Sequence, residues 1–228
     1  MLYGISDIHL SFGTLKSMDI FPGWLDYVSK IKQKWLAQVL ASDTVVVAGD
    51  ISWAMELEDC EKDFEFLDSL PGEKILIRGN HDFWWSSITK INNFLSNRNF
   101  KTIKLIQNNS VKVGNCNICG TRGWIFNSKE DYDNRIYARE IERLKLSLSS
   151  CKDPGIEKIV FFHYPPVYVY EKCEKIIDIL LENNVMKCYY GHVHGCDSSR
   201  IIYEGLYRGI EFNLLSCDYL NFGLKLIC

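Results

Sequence analysis

All five histidines of this 228-residue chain stand among other side chains that can bind a cation: Asp7 and His9 in SDIH, Asn80, His81 and Asp82 in RGNHD, His163 in FFH, and His192 and His194 in GHVHG. Asp50, in AGD, adds a further carboxylate. Imidazoles, carboxylates and an amide oxygen, with no thiolate among them, suit Mn, Fe, Zn or another divalent first-row metal better than calcium or a thiolate zinc site. These donors outnumber what one four-coordinate ion can use. Two ions sharing a carboxylate would use them, and such a pair clamps the attacking and leaving oxygens of a displacement at phosphorus. A single histidine at a strand end is ordinarily a hydrogen-bonded core or surface residue, and a glycine beside it marks a tight turn. That account does not extend to five histidines, each with a matching neighbour.

Such residues need elements to bring them together. Apolar runs at 2–6, 44–48 (TVVVA) and 74–78 (KILIR) read as strands that end at Asp7, Asp50 and Asn80. Val28, Ile31, Trp35, Leu36, Val39 and Leu40 repeat at helical spacing between the first two, as do Leu57, Cys60, Phe64 and Leu67 before Pro71 and Gly72. The first part therefore reads βαβαβ, a largely parallel core with right-handed crossovers. After a helix at about 86–95, short strands at 103–106, 111–113 and 117–121 predict a meander. Residues 133–149 read as a helix with Ile136, Tyr137, Ile141, Leu144 and Leu148 on one face and the charges of AREIERLK on a solvated face. Asp153, Pro154 and Gly155 make a turn; KIVFF then runs to His163, a helix passes through Ile176, Ile177, Leu180 and Leu181, and KCYY leads to His192. In open α/β sheets ligands gather beyond the carboxyl ends of strands, so these endings can share one cleft. Side-chain alternation on an extended segment would point Asp7 with His9, and His192 with His194.

Composition narrows the class. With 47% hydrophobic residues the chain can bury one substantial core, and 1–228 reads as a single domain whose irregular middle, 83–140, is where a lid or insertion would fall. Its 26 basic and 29 acidic residues leave a net charge of −3, so composition gives no support to a nucleic-acid partner. The start, MLYGISDIHL, reads as a buried strand rather than a signal peptide, and no apolar run approaches the roughly 20 residues of a membrane span. Nine scattered cysteines fit reduced thiols, so the expected location is cytoplasmic. Cys116 and Cys119 form a lone CxxC without the second pair a structural zinc site needs, and read as two thiols in a β segment.

The ordered set DxH, GD, GNHD, H and GHxH, running from residue 7 to residue 194, resembles the calcineurin-like metallophosphoesterase superfamily. The resemblance implies a four-layer α/β/β/α sandwich of two mixed β-sheets with two divalent metals at one edge, manganese first among Mn, Fe, Zn, Mg, Ni and Co. It implies that Asp7, His9 and His194 bind one metal, that Asn80, His163 and His192 bind the other, and that Asp50 bridges them. It further implies that a hydroxide bridging the metals attacks phosphorus in line, with His81 as general acid and Asp82 orienting the His81 imidazole. The chain departs from the phosphoprotein-phosphatase branch, whose GDxVDRG is replaced by GDISWAM. With RGNHDFWW and GTRGW, it is instead similar to small bacterial phosphohydrolases of the superfamily.

The expected activity is hydrolysis of a phosphoester, with diesters slightly ahead of monoesters. The alternative is a non-catalytic protein-binding scaffold on the same fold, disfavoured because His81 is present. Trp53, Phe83, Trp84, Trp85 and Trp124 could wall a substrate, but packing between layers is the favoured role. Of Arg78, Arg122, Arg135 and Arg139, Arg122 in GTRGW is the first choice for gripping phosphate oxygens. HYPPVY places two prolines after His163, which would stiffen the loop that holds it.

Overall fold

The first sheet is built from the β-branched runs of the amino-terminal half. In chain order these are β1 (Leu2–Ile5), α1 (Tyr27–Gln38), β2 (Thr44–Ala48), α2 (Glu61–Ser69), β3 (Glu73–Ile77), α3 (Ile88–Asn97) and β4 (Ile103–Ile106). The elements come from a computed structural model that describes residues 1–153, 155–195 and 201–228. The second half supplies β5 (Val111–Val113), β6 (Cys116–Thr121), α4 (Asp131–Ser149), β7 (Glu157–Phe162), α5 (Glu174–Glu182), β8 (Lys187–Tyr190), β9 (Gly205–Tyr207), β10 (Ile210–Leu214) and β11 (Lys225–Leu226). One sheet runs β11-β1-β2-β3-β4, parallel from β1 to β4 with β11 antiparallel at its edge. The other runs β5-β6-β7-β8-β10-β9, parallel from β6 to β10 with an antiparallel strand at each edge.

Alternation along the strands sorts the side chains into layers. Ile5, Val45, Val47 and Leu76 face Ile31, Trp35, Phe64 and Ile91 of the first three helices. Val46, Ala48, Ile75 and Ile77 turn the other way, onto Ile118, Ile159, Phe161 and Tyr189 of the second sheet. Val160, Phe162, Cys188 and Tyr190 then meet Ile141, Leu144, Ile177 and Leu180 of α4 and α5. The result is the expected α/β/β/α sandwich of two mixed sheets.

Several expectations need correction. The three short strands are not one meander: β4 closes the first sheet beside β3, and the chain then crosses to the second, where β5 and β6 pair as a hairpin. An apolar strand shows its period but not the sheet it joins. Leu36 and Leu40 are 56% and 68% exposed, leaving Ile31, Trp35 and Val39 as the buried stripe. The charged run of α4 is not wholly solvated, because Glu140 is buried. Within 83–140, β4, β5 and β6 are strands of the two sheets. The CxxC reading needs no correction: Cys116 and Cys119 are, as expected, thiols in a β strand, 3.8 Å from Cys228 and 3.3 Å from Cys151, sulfur to sulfur, and the described cysteines are free thiols. The turn at Asp153, Pro154 and Gly155 includes Pro154, which lies outside the described residues. Among the described residues no helix is long and apolar enough to cross a membrane.

Candidate active site

The carboxyl ends of five parallel strands converge at one edge of the sandwich. Asp7 and His9 follow β1, Asp50 follows β2 and Asn80 follows β3, while His163 follows β7 and His192 follows β8. The backbone beyond β1 stays in register with its neighbour: Asp7 and His9 donate their N–H groups to the carbonyls of Gly49 and Asp50, both at 3.0 Å. Ser6 joins the second sheet, donating to the Leu215 carbonyl at 2.8 Å. Asp7 and His9 do not share a side by strand alternation, because Asp7 (φ 56°), His9 (φ 43°), Asp50 (φ 52°) and His192 (φ 72°) all take left-handed backbone. Such conformations are rare for residues with a Cβ and cluster at functional sites.

The glycines of the GN and GH motifs make room rather than simply turn the chain. A Cβ on Gly79 would lie 2.1 Å from the Asp50 nitrogen, and one on Gly191 would lie 2.2 Å from Ser6 Oγ and 2.7 Å from Asp7 Oδ2. Asp7 is held by Ser6 Oγ at 2.5 Å, Ser216 Oγ at 2.9 Å and the His192 N–H at 3.0 Å. Ser6 and Ser216 were not singled out in the sequence, where a lone serine carries no spacing signal.

Donor atoms face each other without hydrogens to share. His163 Nδ1 lies 3.1 Å from the Ala48 carbonyl, which takes its hydrogen and leaves Nε2 with a lone pair. That Nε2 is 2.6 Å from Asn80 Oδ1, and His192 Nδ1 is 2.8 Å from the same oxygen. Asp50 reaches both ways: Oδ2 is 3.7 Å from His9 Nε2 and Oδ1 is 3.4 Å from His163 Nε2. Asp7, His9 and His194 present ligand atoms within 4.8 Å of one another, as do Asp7, Asp50 and His163. Both ring nitrogens of His9 are buried with no hydrogen-bond partner among the described residues. Burial pushes His163 down to about 3 and His192 to about 4, so both rings are neutral at pH 7. Burial, and then the Asp7 carboxylate, pushes Asp50 up to about 9. Neutral imidazoles, crowded carboxylates and orphaned nitrogens are the surroundings a divalent cation fits.

The chain as a whole decides its relationship. A family model of calcineurin-like phosphoesterases matches residues 2–196. This chain belongs to that family. None of the curated proteins matches it. Solved structures share its fold, among them the following three. A protein of unknown function from Aquifex aeolicus is 19% identical, with a TM-score of 0.51 over 99% of this chain and 94% of that one. The phosphopantetheinyl hydrolase of Mycobacterium tuberculosis is 12% identical, with a TM-score of 0.59 over 99% and 95%. A protein from Thermus thermophilus is 13% identical, with a TM-score of 0.54 over 85% and 81%.

Asp82 is not the partner of the His81 ring. Its carboxylate is fully buried and accepts from the backbone N–H groups of Asp50 (3.0 Å), Ile51 (2.9 Å), Ser52 (3.2 Å) and Gly79 (2.7 Å), and from Trp84 Nε1 (3.1 Å). Those donors exhaust both oxygens, so Asp82 straps the β2 and β3 loops together. The half-buried His81 ring instead packs on Trp53, centroids 4.5 Å apart, and Trp53 also stacks on His9 at 4.7 Å and 16°. Burial and then the nearby His194 hold His81 below its ordinary value. Trp84 and Trp85 are core residues, as favoured, while Phe83 is exposed. Arg135 and Arg139 are exposed on α4; Arg122 sits beside the site, its carbonyl accepting the N–H of His163 at 3.1 Å. Tyr164 of HYPPVY lies against His192, centroids 4.1 Å apart.

Proposed function

We propose that the chain is a metal-dependent phosphohydrolase. The observation that carries this reading is the pair of buried, unpartnered His9 nitrogens in a nest of carboxylates and neutral imidazoles. Asp7, His9 and His194 would hold one divalent cation, Asn80, His163 and His192 a second, and Asp50 would lie between them. Bound there, two such ions, manganese first, would polarise the phosphoryl group and supply an acidified water as nucleophile.

The chain's own residues do the rest. Asp7 is fixed by two serine hydroxyls and one backbone N–H, and His163 by the Ala48 carbonyl, so neither must reorganise when a substrate arrives. His81, partly exposed at the rim, is the general acid: its imidazolium gives a proton to the leaving oxygen. Burial disfavours that imidazolium, and the negative charge of an incoming phosphate restores it. Trp53 keeps the ring over the site. Arg122 would grip a phosphate oxygen of the substrate, its guanidinium lying over Trp124 and 3.6 Å from Glu140.

Diesters stand ahead of monoesters in this proposal. A structure sharing the fold is named a phosphopantetheinyl hydrolase, which supports phosphoester cleavage in general. The test is metal content per chain together with initial rates on an aryl phosphodiester and an aryl phosphomonoester, with His81→Ala as background. A faster diester supports the proposal as stated. A faster monoester overturns the finer half of it. Metal-free protein with neither rate above background overturns all of it and favours the scaffold.

A further inference from the structure

A second charged pocket lies at the same carboxyl edge of the sandwich. Its enclosed volume is only about 30 Å³, beyond which it opens to solvent, and it is lined by Arg78, Arg122, Arg143, Glu140, Gln107 and Trp85, among others. Arg78 is two residues before Asn80, and the Arg122 carbonyl accepts the N–H of His163, so the pocket adjoins the metal-ligand candidates. Its charges do not balance. Glu140 is 3% exposed, and one of its oxygens lies 2.6 Å from Arg143 Nη1 and 3.6 Å from Arg122 Nη2. The other oxygen accepts the Thr121 hydroxyl. Pinning α4 to β6 through Glu140 needs one arginine, and three line the pocket.

Arg78 forms no ion pair among the described residues, and the Nε atoms of Arg78 and Arg122 are buried without hydrogen-bond partners there. Buried donors of this kind are nearly always satisfied. The Gln107 carbonyl oxygen takes the Trp85 indole N–H at 3.0 Å, which leaves its amide NH2 as a further donor. With Glu140 in the lining and the Asp82 carboxylate near Arg78, three guanidinium groups still leave an excess of positive charge, which attracts phosphate, and planar forks suit its oxygens.

We propose that this pocket is a second anion subsite that holds a phosphate group other than the one cleaved, so that the substrate is a phosphoester carrying a second phosphate. The substrate half of the proposal rests on the hydrolase reading; the subsite itself does not. Two measurements on metal-loaded protein separate them. Calorimetric titration with inorganic phosphate should find two sites in the wild type and one in Arg78→Gln. The more exposed Arg143→Gln, which serves if Arg78→Gln fails to fold, should weaken that second site about tenfold. Turnover of an aryl alkyl phosphodiester whose alkyl chain ends in phosphate should exceed that of the hydroxyl-ended analogue about tenfold in kcat/KM, and Arg78→Gln should bring the ratio near one.

Phosphate binding that neither variant alters overturns the subsite. Arginine-dependent phosphate binding with a diester ratio near one means that the pocket takes free phosphate, and overturns the substrate half. Arginine-dependent binding with no turnover of either diester supports the subsite and overturns the hydrolase reading.

Discussion

Asp82 and His81 are adjacent, yet they answer to different tests. Asp82 places five N–H donors on two oxygens, and removing it leaves those donors buried and unpaired. Asp82→Ala should therefore lose about 3 kcal/mol or more of stability, read as a lower denaturant midpoint, and should also bind less metal because Asp50 and Gly79, the neighbour of Asn80, lose their shared anchor. A variant of wild-type stability would show that the strap is dispensable. His81→Ala should keep its metal content and its stability within about 0.5 kcal/mol. Its rate on esters with poor leaving groups should fall by about 100-fold or more, while esters with good leaving groups are spared. Equal losses on both kinds of ester would remove the proton transfer assigned to His81. Histidines are few and chemically distinctive, so their gathering was legible in the sequence. What Asp82 binds was not, because a carboxylate's role depends on which donors surround it, and these come from two loops 30 residues apart.

At the scale of elements, the strand-to-loop passages carry the site and their tolerances are tight. Gly191→Ala would drive a methyl into Ser6 Oγ and Asp7 Oδ2, at 2.2 and 2.7 Å. It should cost about 1–3 kcal/mol and displace Asp7, so metal binding should weaken more than stability alone accounts for. An alanine variant with wild-type metal affinity would mean that the passage can yield. The β3 entry holds a different device: the buried Lys74 ammonium donates to Gly72 O at 2.8 Å, Thr102 Oγ1 at 3.0 Å and Leu70 O. Burial lowers its pKa from 10.5 to about 8. The unfolded chain then holds the proton more tightly than the fold does, so the penalty is full below about 8 and shrinks as pH rises to 10.5. Relative to Lys74→Met, the wild type should gain stability between pH 8 and 10.5 in urea melts, and a flat difference would mean that the three acceptors fully compensate for burial. The βαβαβ start was legible because β-branched runs alternate with helical periods. The crossing from β4 to β5 was not, since the same alternation serves either sheet. Nothing beyond His194 was read: the short β9 and β11 expose Leu206 and Leu226 and show no buried face, whereas β10, with Ile210, Phe212 and Leu214 buried, carried an alternation that went unread.

For the molecule as a whole, the proposed metal centre would act as a clasp between two sheets. Asp7, His9, Asp50 and Asn80 extend from the first sheet, and His163, His192 and His194 from the second. Between them the sheets share an apolar core centred on Val46, Ile75, Ile159 and Phe161, whose packing does not depend on any ion. At the site edge the fold instead concentrates Asp7, Asp50 and Asp82, all nearly fully buried, and their mutual repulsion opposes closure of that edge. Cations that bind only the folded chain should therefore add stability, about 2.7 kcal/mol per site at a hundredfold excess over Kd. For a chain of this length, filling both sites should raise Tm by roughly 10 °C or more, and a chelator should reverse the gain. His9→Ala and His163→Ala remove donors from opposite sheets. If the clasp spans the sheets, each should lose much of the metal-dependent increment and the double variant little more than either, because residues acting on one bound unit are not additive. Additive losses would mean that the two ions bind independently of each other, and the two halves of the site would then have to be treated as separate centres.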